Sequence, residues 1–169
     1  MAKPTKHATI ICVVLSALAI IGAGLSIWQR SPLILVFFLL PAIAYEVYRT
    51  EGKSTKLASW VLLAIFILEI VFIVFKINFD IGAYLGKTET AVAGYNVPLG
   101  DIKIVGPIIV AILSVILFIR TRGIYTRWLA VVIFLGSFLL IYLLNPSIFQ
   151  SLLKFGIDQG LEKGLQKIK

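Results

Sequence analysis

Five apolar runs set the limits on what this chain can fold into. They cover residues 8–28, 32–48, 57–75, 104–119 and 128–144. A helix that crosses a bilayer needs about 20 predominantly apolar residues, with a range of roughly 17–25. The first and third runs meet this easily, and the second and fifth stand at the lower limit. The fourth is slightly short unless it extends through Arg120, whose stem can lie along apolar surface while its head stays in water. Only 14% of the residues are charged and 60% are hydrophobic, whereas a soluble domain carries about 25% charged residues. So little polar surface could not cover the chain in water. The expected class is an all-α integral membrane protein. Residues 1–145 form a helical bundle of about five transmembrane spans with a cap loop at 76–103, and residues 146–169 form an amphipathic helix lying on the membrane surface. A four-span arrangement, with one short run re-entrant, would put both termini on the same side.

Punctuation along the chain agrees with this division. Pro32 and Pro107 stand near helix starts, where a missing N–H costs little. Pro41 is interior to its run, so a kink is expected there. Asn145-Pro146 reads as a stop after the fifth run. Trp28, Trp60 and Trp128 lie at run ends, as do Tyr45, Tyr48, Tyr125 and Tyr142, which is where amphipathic rings meet headgroups. Lys3 and Lys6 before the first run imitate a signal peptide, but the run exceeds the roughly 7–15 residues of a signal core and reads as an uncleaved span.

The net charge is +8, from 16 Lys and Arg against 8 Asp and Glu. These charges lie between and beyond the apolar runs, so they serve orientation and headgroup contact rather than nucleic-acid binding. Discounting the distal tail lysines, the count places the N-terminus in the cytoplasm. The absence of N-x-S/T sequons (Asn145-Pro146-Ser147 is excluded by its proline) favours a prokaryotic plasma membrane. With one cysteine, Cys12, and one histidine, His7, neither an intrachain disulfide nor a Cys/His metal or haem centre is expected, and no cofactor is implied.

Between the third and fourth runs, glycines and mixed polarity indicate an ordered cap. Thr88–Val92 and Ile102–Val105 favour extended structure and could pair as a hairpin. In the tail, Ile157, Leu161, Leu165 and Ile168 repeat at helical spacing, and Gly156, Gly160 and Gly164 recur every fourth residue. That spacing fits either close helix contact or a frayed end.

One ionisable residue stands deep in an apolar run. Glu69 has Ile65, Phe66, Phe72 and Ile73 as helical neighbours, with Lys76 two turns further on the same face. A carboxylate near the centre of a span costs roughly 2.5–3.5 kcal/mol and usually faces a partner or water. Three roles remain open for it: a hydrogen-bonded structural carboxyl, an ion-pair partner, or a proton or cation carrier. Glu46 and Arg49 read as an interfacial i,i+3 pair worth a few tenths of a kcal/mol. Ala19, Ala23 and Ser26, with Gly22 beside them, form a small-residue stripe for helix packing. Arg120, Arg122 and Arg127 bracket a short loop without any acid, so they either set topology or bind lipid headgroups.

Neither G-x-S-x-G, H-E-x-x-H, a Walker A loop nor C-x-x-C occurs, and the first two runs do not resemble the last two as an inverted repeat would require. The functional expectation is therefore a non-catalytic membrane subunit, accessory or scaffold, whose partners are the lipid bilayer and other membrane subunits or itself. The alternative is a small proton- or cation-coupled transporter or channel built on Glu69. An interfacial lipid-modifying enzyme would have to draw on Asp80, Glu89 and Asp101.

Overall fold

The computed structural model describes residues 7–77, 90–92, 95–97, 102–121, 123–150, 153 and 157, with the backbone alone at 90–92, 95–97 and 102. Five helices carry the fold: α1 (Ala8–Gln29), α2 (Pro32–Arg49), α3 (Lys53–Val74), α4 (Ile102–Arg120) and α5 (Ile124–Leu144). Each is long and apolar enough to cross a membrane, with mean hydropathy between 1.6 and 2.8. β1 (Thr90–Val92) and β2 (Tyr95–Val97) form a small antiparallel hairpin between α3 and α4.

The helices outrun the apolar stretches by as much as a turn. α3 starts at Lys53, directly after Gly52, and its first residues are polar and largely exposed. α5 starts at Ile124, directly after Gly123. α1 and α3 each end on a non-glycine residue in the left-handed region, Arg30 (φ 49°) and Lys76 (φ 52°). In both, the next amide reaches back to close the last turn, Ser31 N–H to the Ser26 carbonyl (3.1 Å) and Ile77 N–H to that of Phe72 (3.0 Å). α2 runs unbroken through Pro41, which lies on its exposed side. Asn145 ends α5 and also starts the next helical stretch, 146–150. Its Oδ1 accepts from the Ser147 hydroxyl (2.6 Å) and from the backbone N–H of Ser147 and Ile148 (3.2 and 3.4 Å).

Neighbours in sequence pack against each other, and α5 returns to α1, so the five helices close into a ring. α2 also touches α5 across it. Short connections make α1 and α2, α2 and α3, and α4 and α5 antiparallel, and side-chain contacts fix the ends. At the first end, Thr9 meets Tyr125 and Arg120 meets Ser54. Here α1, α3 and α5 begin and α2 and α4 finish. At the second end, Ile104 of α4, Ile141 of α5 and Ile148 pack together. The main core runs between the ends through Leu35, Val36, Leu39, Ile43, Leu62 and Phe66, closed on the far side by α4 and α5.

Three helix glycines admit a neighbour's side chain: Gly22 receives Phe38, Gly136 receives Leu39 and Gly106 receives Glu69. In each case a Cβ would overlap the incoming atoms. The α1–α2 and α2–α5 contacts are therefore set by glycine holes rather than by a small-residue stripe alone. Of that stripe, Ala19 and Ser26 are buried and Ala23 is half-buried.

The hairpin differs from the sequence expectation in its second strand. Thr90–Val92 pairs with Tyr95–Val97, in register Val92 to Tyr95, and Ile102–Val105 is the start of α4. Ile104 is buried against Ile141 and Ile148, so tertiary packing outweighs the extended preference of its β-branched run. The glycine-spaced tail at Gly156, Gly160 and Gly164 lies outside the described residues.

Candidate functional site

Among the described residues, a buried polar cluster lies at the first end, where α2 finishes between α1 and α5. Three successive turns of burial bring it about: Val47 is buried and Ala42 and Ile43 below it are fully covered, so the same face carries Glu46, Arg49 and Thr50 inward. Glu46 is 0% exposed and Arg49 5%. The Thr50 hydroxyl donates to the Glu46 backbone carbonyl at 2.7 Å, with Glu46 Oε1 at 3.2 Å. The Arg49 guanidinium carbon stands 4.8 Å from the centroid of the Tyr125 ring, within cation–π range. The Tyr125 hydroxyl shares a 2.7 Å hydrogen bond with Thr9, and its backbone carbonyl faces the Cys12 thiol at 4.0 Å.

This corrects the reading of Glu46–Arg49 as an interfacial pair. α1 and α5 wrap the last turn of α2, and both charges are withdrawn from solvent. Charges so placed are costly to desolvate and strongly dependent on one another. Among the described residues, Glu46 Oε2, Arg49 Nε and Nη1, and Thr121 Oγ1 are buried without a hydrogen-bond partner. Arg49 gains from its place at a helix C-terminus, where a cation meets the negative end of the dipole. The cluster contains opposed charges and a thiol but no pair of carboxylates. Among the described residues, no group of three His, Cys, Asp or Glu could hold a metal.

Glu69, singled out from the sequence, is 1% exposed. It sits five residues before the end of α3, nearer the second end than the apolar run implies, because α3 begins a turn earlier. Its carboxyl lies against the backbone of α4 at Gly106, whose added Cβ would stand 3.1 Å from Glu69 Cδ and overlap Oε2. Gly106 is followed by Pro107, which is also buried. Lys76, expected on the Glu69 face, is exposed and lies beyond the end of α3. Its left-handed backbone takes it off the helical register that the sequence spacing assumed.

The arginines divide. Arg120 Nη1 donates to Ser54 Oγ at 2.7 Å, tying the end of α4 to the start of α3. Arg127 Nε donates to the Thr121 carbonyl at 2.8 Å, and its guanidinium lies 5.9 Å from the Phe118 ring centroid. Arg122, Asp80, Glu89 and Asp101 lie outside the described residues. A further feature absent from the sequence reading is an apolar groove of about 430 Å³ between α1 and α5, floored by Leu35 and Leu39 of α2. The Trp128 indole N–H closes its first end by donating to Ser16 Oγ at 2.8 Å. The sequence did hold a signal for the Glu46 cluster: Glu46, Arg49 and Thr50 follow Ala42 and Ile43 at i+3 and i+4 spacing, continuing an inward face.

The chain matches no family model, no curated protein and no solved structure.

Proposed function

We propose that the chain is a five-span integral membrane protein acting as a non-catalytic subunit, in assembly with itself or with other membrane proteins. The outward faces support the membrane setting. Ile20, Trp28, Phe75, Leu57, Ile119 and Ile124 are all more than two-thirds exposed, a surface that water would not tolerate in such quantity. The basic end supports a cytoplasmic N-terminus. Among the described residues, Arg49, Lys53, Lys56, Arg120 and Arg127 gather at the first end, against Arg30, Lys76 and Lys103 at the second. Placement in a prokaryotic plasma membrane rests on the sequon count alone.

The observation that carries the non-transport reading is what lies between the two buried carboxylates. At 1.5 Å per residue, Glu69 stands roughly 20 Å from Glu46 along the bundle axis. The interval is filled by Leu35, Val36, Leu39, Ile43, Leu62 and Phe66. Described hydroxyls in it are committed: Ser59 donates to the Lys56 carbonyl, Ser114 to that of Val110 and Ser137 to that of Ile133. A proton or cation path needs polar groups in series, and these are turned back on their own helices.

The test has two parts. Native mass spectrometry of the chain extracted in mild detergent is expected to show a homo-oligomer or stoichiometric foreign subunits. Proteoliposomes are expected to show no proton- or cation-driven flux above that of empty vesicles. A flux that Glu69→Gln abolishes would overturn the reading in favour of the transporter.

A further inference from the structure

We infer that the seam between α4 and α5 is a binding site for an anionic phospholipid, with Arg127 at its headgroup end; this rests on the membrane reading above. Two apolar cavities of about 200 and 190 Å³ line this seam. The first is bounded by Ser114, Val115 and Phe118 of α4 and by Ala130, Val131 and Phe134 of α5. The second lies further along, from Val115 and Phe134 to Ile108 and Ile141. They share Val115 and Phe134, so they form one groove running down the antiparallel pair. From Phe118 to Ile108 is ten residues of α4, about 15 Å at 1.5 Å per residue. That is half the roughly 30 Å hydrocarbon thickness, the depth of one leaflet.

Charge complementarity names the occupant. Arg127 stands just beyond the first end of this groove, one turn before Ala130 and Val131 on α5. Its guanidinium lies over Phe118, whose ring forms the groove wall, and its Nε is fixed by the Thr121 carbonyl. The side chain is exposed, and among the described residues its two Nη groups make no hydrogen bond. A fixed cation with two open donors at the headgroup level, above an apolar channel one leaflet deep, suits a phosphate ester carrying an acyl chain. Val115, Phe118 and Ile112 are half-exposed, so the groove opens sideways, where a chain can enter from the bilayer.

The experiment starts with alkaline extraction of membranes containing the full chain. If the chain is released, the five-span reading falls and the lipid site with it. If it is retained, the purified protein is mixed with equal phosphatidylglycerol and phosphatidylcholine and the retained lipid is counted by native mass spectrometry. The wild type is expected to retain phosphatidylglycerol several-fold over phosphatidylcholine. Arg127→Gln should lower that preference about fivefold, the effect of one basic contact, while Arg30→Gln at the other end leaves it unchanged. Val115→Trp, or Ile112→Trp should the first fail to fold, should lower retention of both lipids by filling the groove. Equal retention of the two lipids by the wild type would overturn the site, as would an Arg127→Gln preference equal to wild type. Absence of bound lipid from the wild type, whether monomer or oligomer, would overturn it equally.

Discussion

Two glycines two residues apart in α1 should respond in opposite directions to the same substitution. At Gly22 an added Cβ would stand 2.6 Å from Phe38 Cγ and 3.3 Å from Cδ1, and closer still to Phe38 Cβ. Carbon atoms rest about 3.5–4.0 Å apart, so the shortfall is about 1 Å. Phe38 Cβ is bonded to the α2 backbone, and no rotamer moves it aside, so α1 and α2 must part. Overpacking of this kind costs about 1–3 kcal/mol, and a rigid obstacle belongs at the upper end. Alanine's helix preference returns about 1 kcal/mol, leaving Gly22→Ala destabilising by about 2 kcal/mol. At Gly24 an added Cβ meets nothing within 4 Å, so Gly24→Ala keeps the helix gain and stabilises by about 1 kcal/mol. The two variants should differ by about 3 kcal/mol, on the order of a hundredfold in the folded-to-unfolded ratio. Reversible unfolding in mixed micelles, read by tryptophan fluorescence, measures this. A cycle with Phe38→Gly sharpens it: in that background Gly22→Ala should keep only its helix gain and stabilise by about 1 kcal/mol, a coupling of about 3 kcal/mol. Equal stabilities for the two alanine variants would refute the glycine-hole account of the α1–α2 contact.

Other outcomes follow from the same structure. Arg49→Met should destabilise by about 1–2 kcal/mol, because it removes the cation from the face of Tyr125 and from the C-terminus of α2; in a Tyr125→Leu background the loss should shrink in the same unfolding assay. Gly106→Ala should destabilise by about 1–3 kcal/mol through contact with the Glu69 carboxyl, and in a Glu69→Ala background this increment should vanish from the melting curve. Arg30→Gly should be neutral or raise stability by up to about 1 kcal/mol, since it relieves a left-handed non-glycine residue; a clear fall in thermal midpoint would count against the αL termination of α1.

The number and placement of the helices were legible because an apolar run of this length has few other solutions. Their starts were less so. Hydropathy alone began the third helix at Leu57 and the fifth at Trp128, yet both start directly after a glycine, Gly52 and Gly123. Those glycines were readable as punctuation, and weighting them above hydropathy would have recovered the extra turn. The hairpin's second strand was recoverable from two-residue spacing, with Val92 and Tyr95 on either side. Burial was not legible in the same way. The spacing of Glu46, Arg49 and Thr50 on Ala42 and Ile43 continues an inward face, but it does not name Tyr125 and Cys12, on helices far off in sequence, as what encloses them. Glu69 stood out because its run was long and greasy on both sides; Glu46 did not, because its run was about to end.

The two buried carboxylates answer different structural demands, and this bears on whether they could act together. Glu69 fills the space that Gly106 leaves between α3 and α4. Glu46 lies buried at the opposite end, bonded to Thr50 inside a wrap made by α1 and α5. To join them, a polar path would have to cross the ring where α2 touches α5. That crossing is held by Leu39 seated in the hole at Gly136, where an added Cβ would overlap its methyls. Opening it means withdrawing Leu39, which is 2% exposed, from a packed site; truncations of such a residue cost about 2–5 kcal/mol. A transport cycle would therefore have to recover that cost at each opening from its driving ion. A subunit that only assembles has no such demand, and the closed ring suits it as it stands.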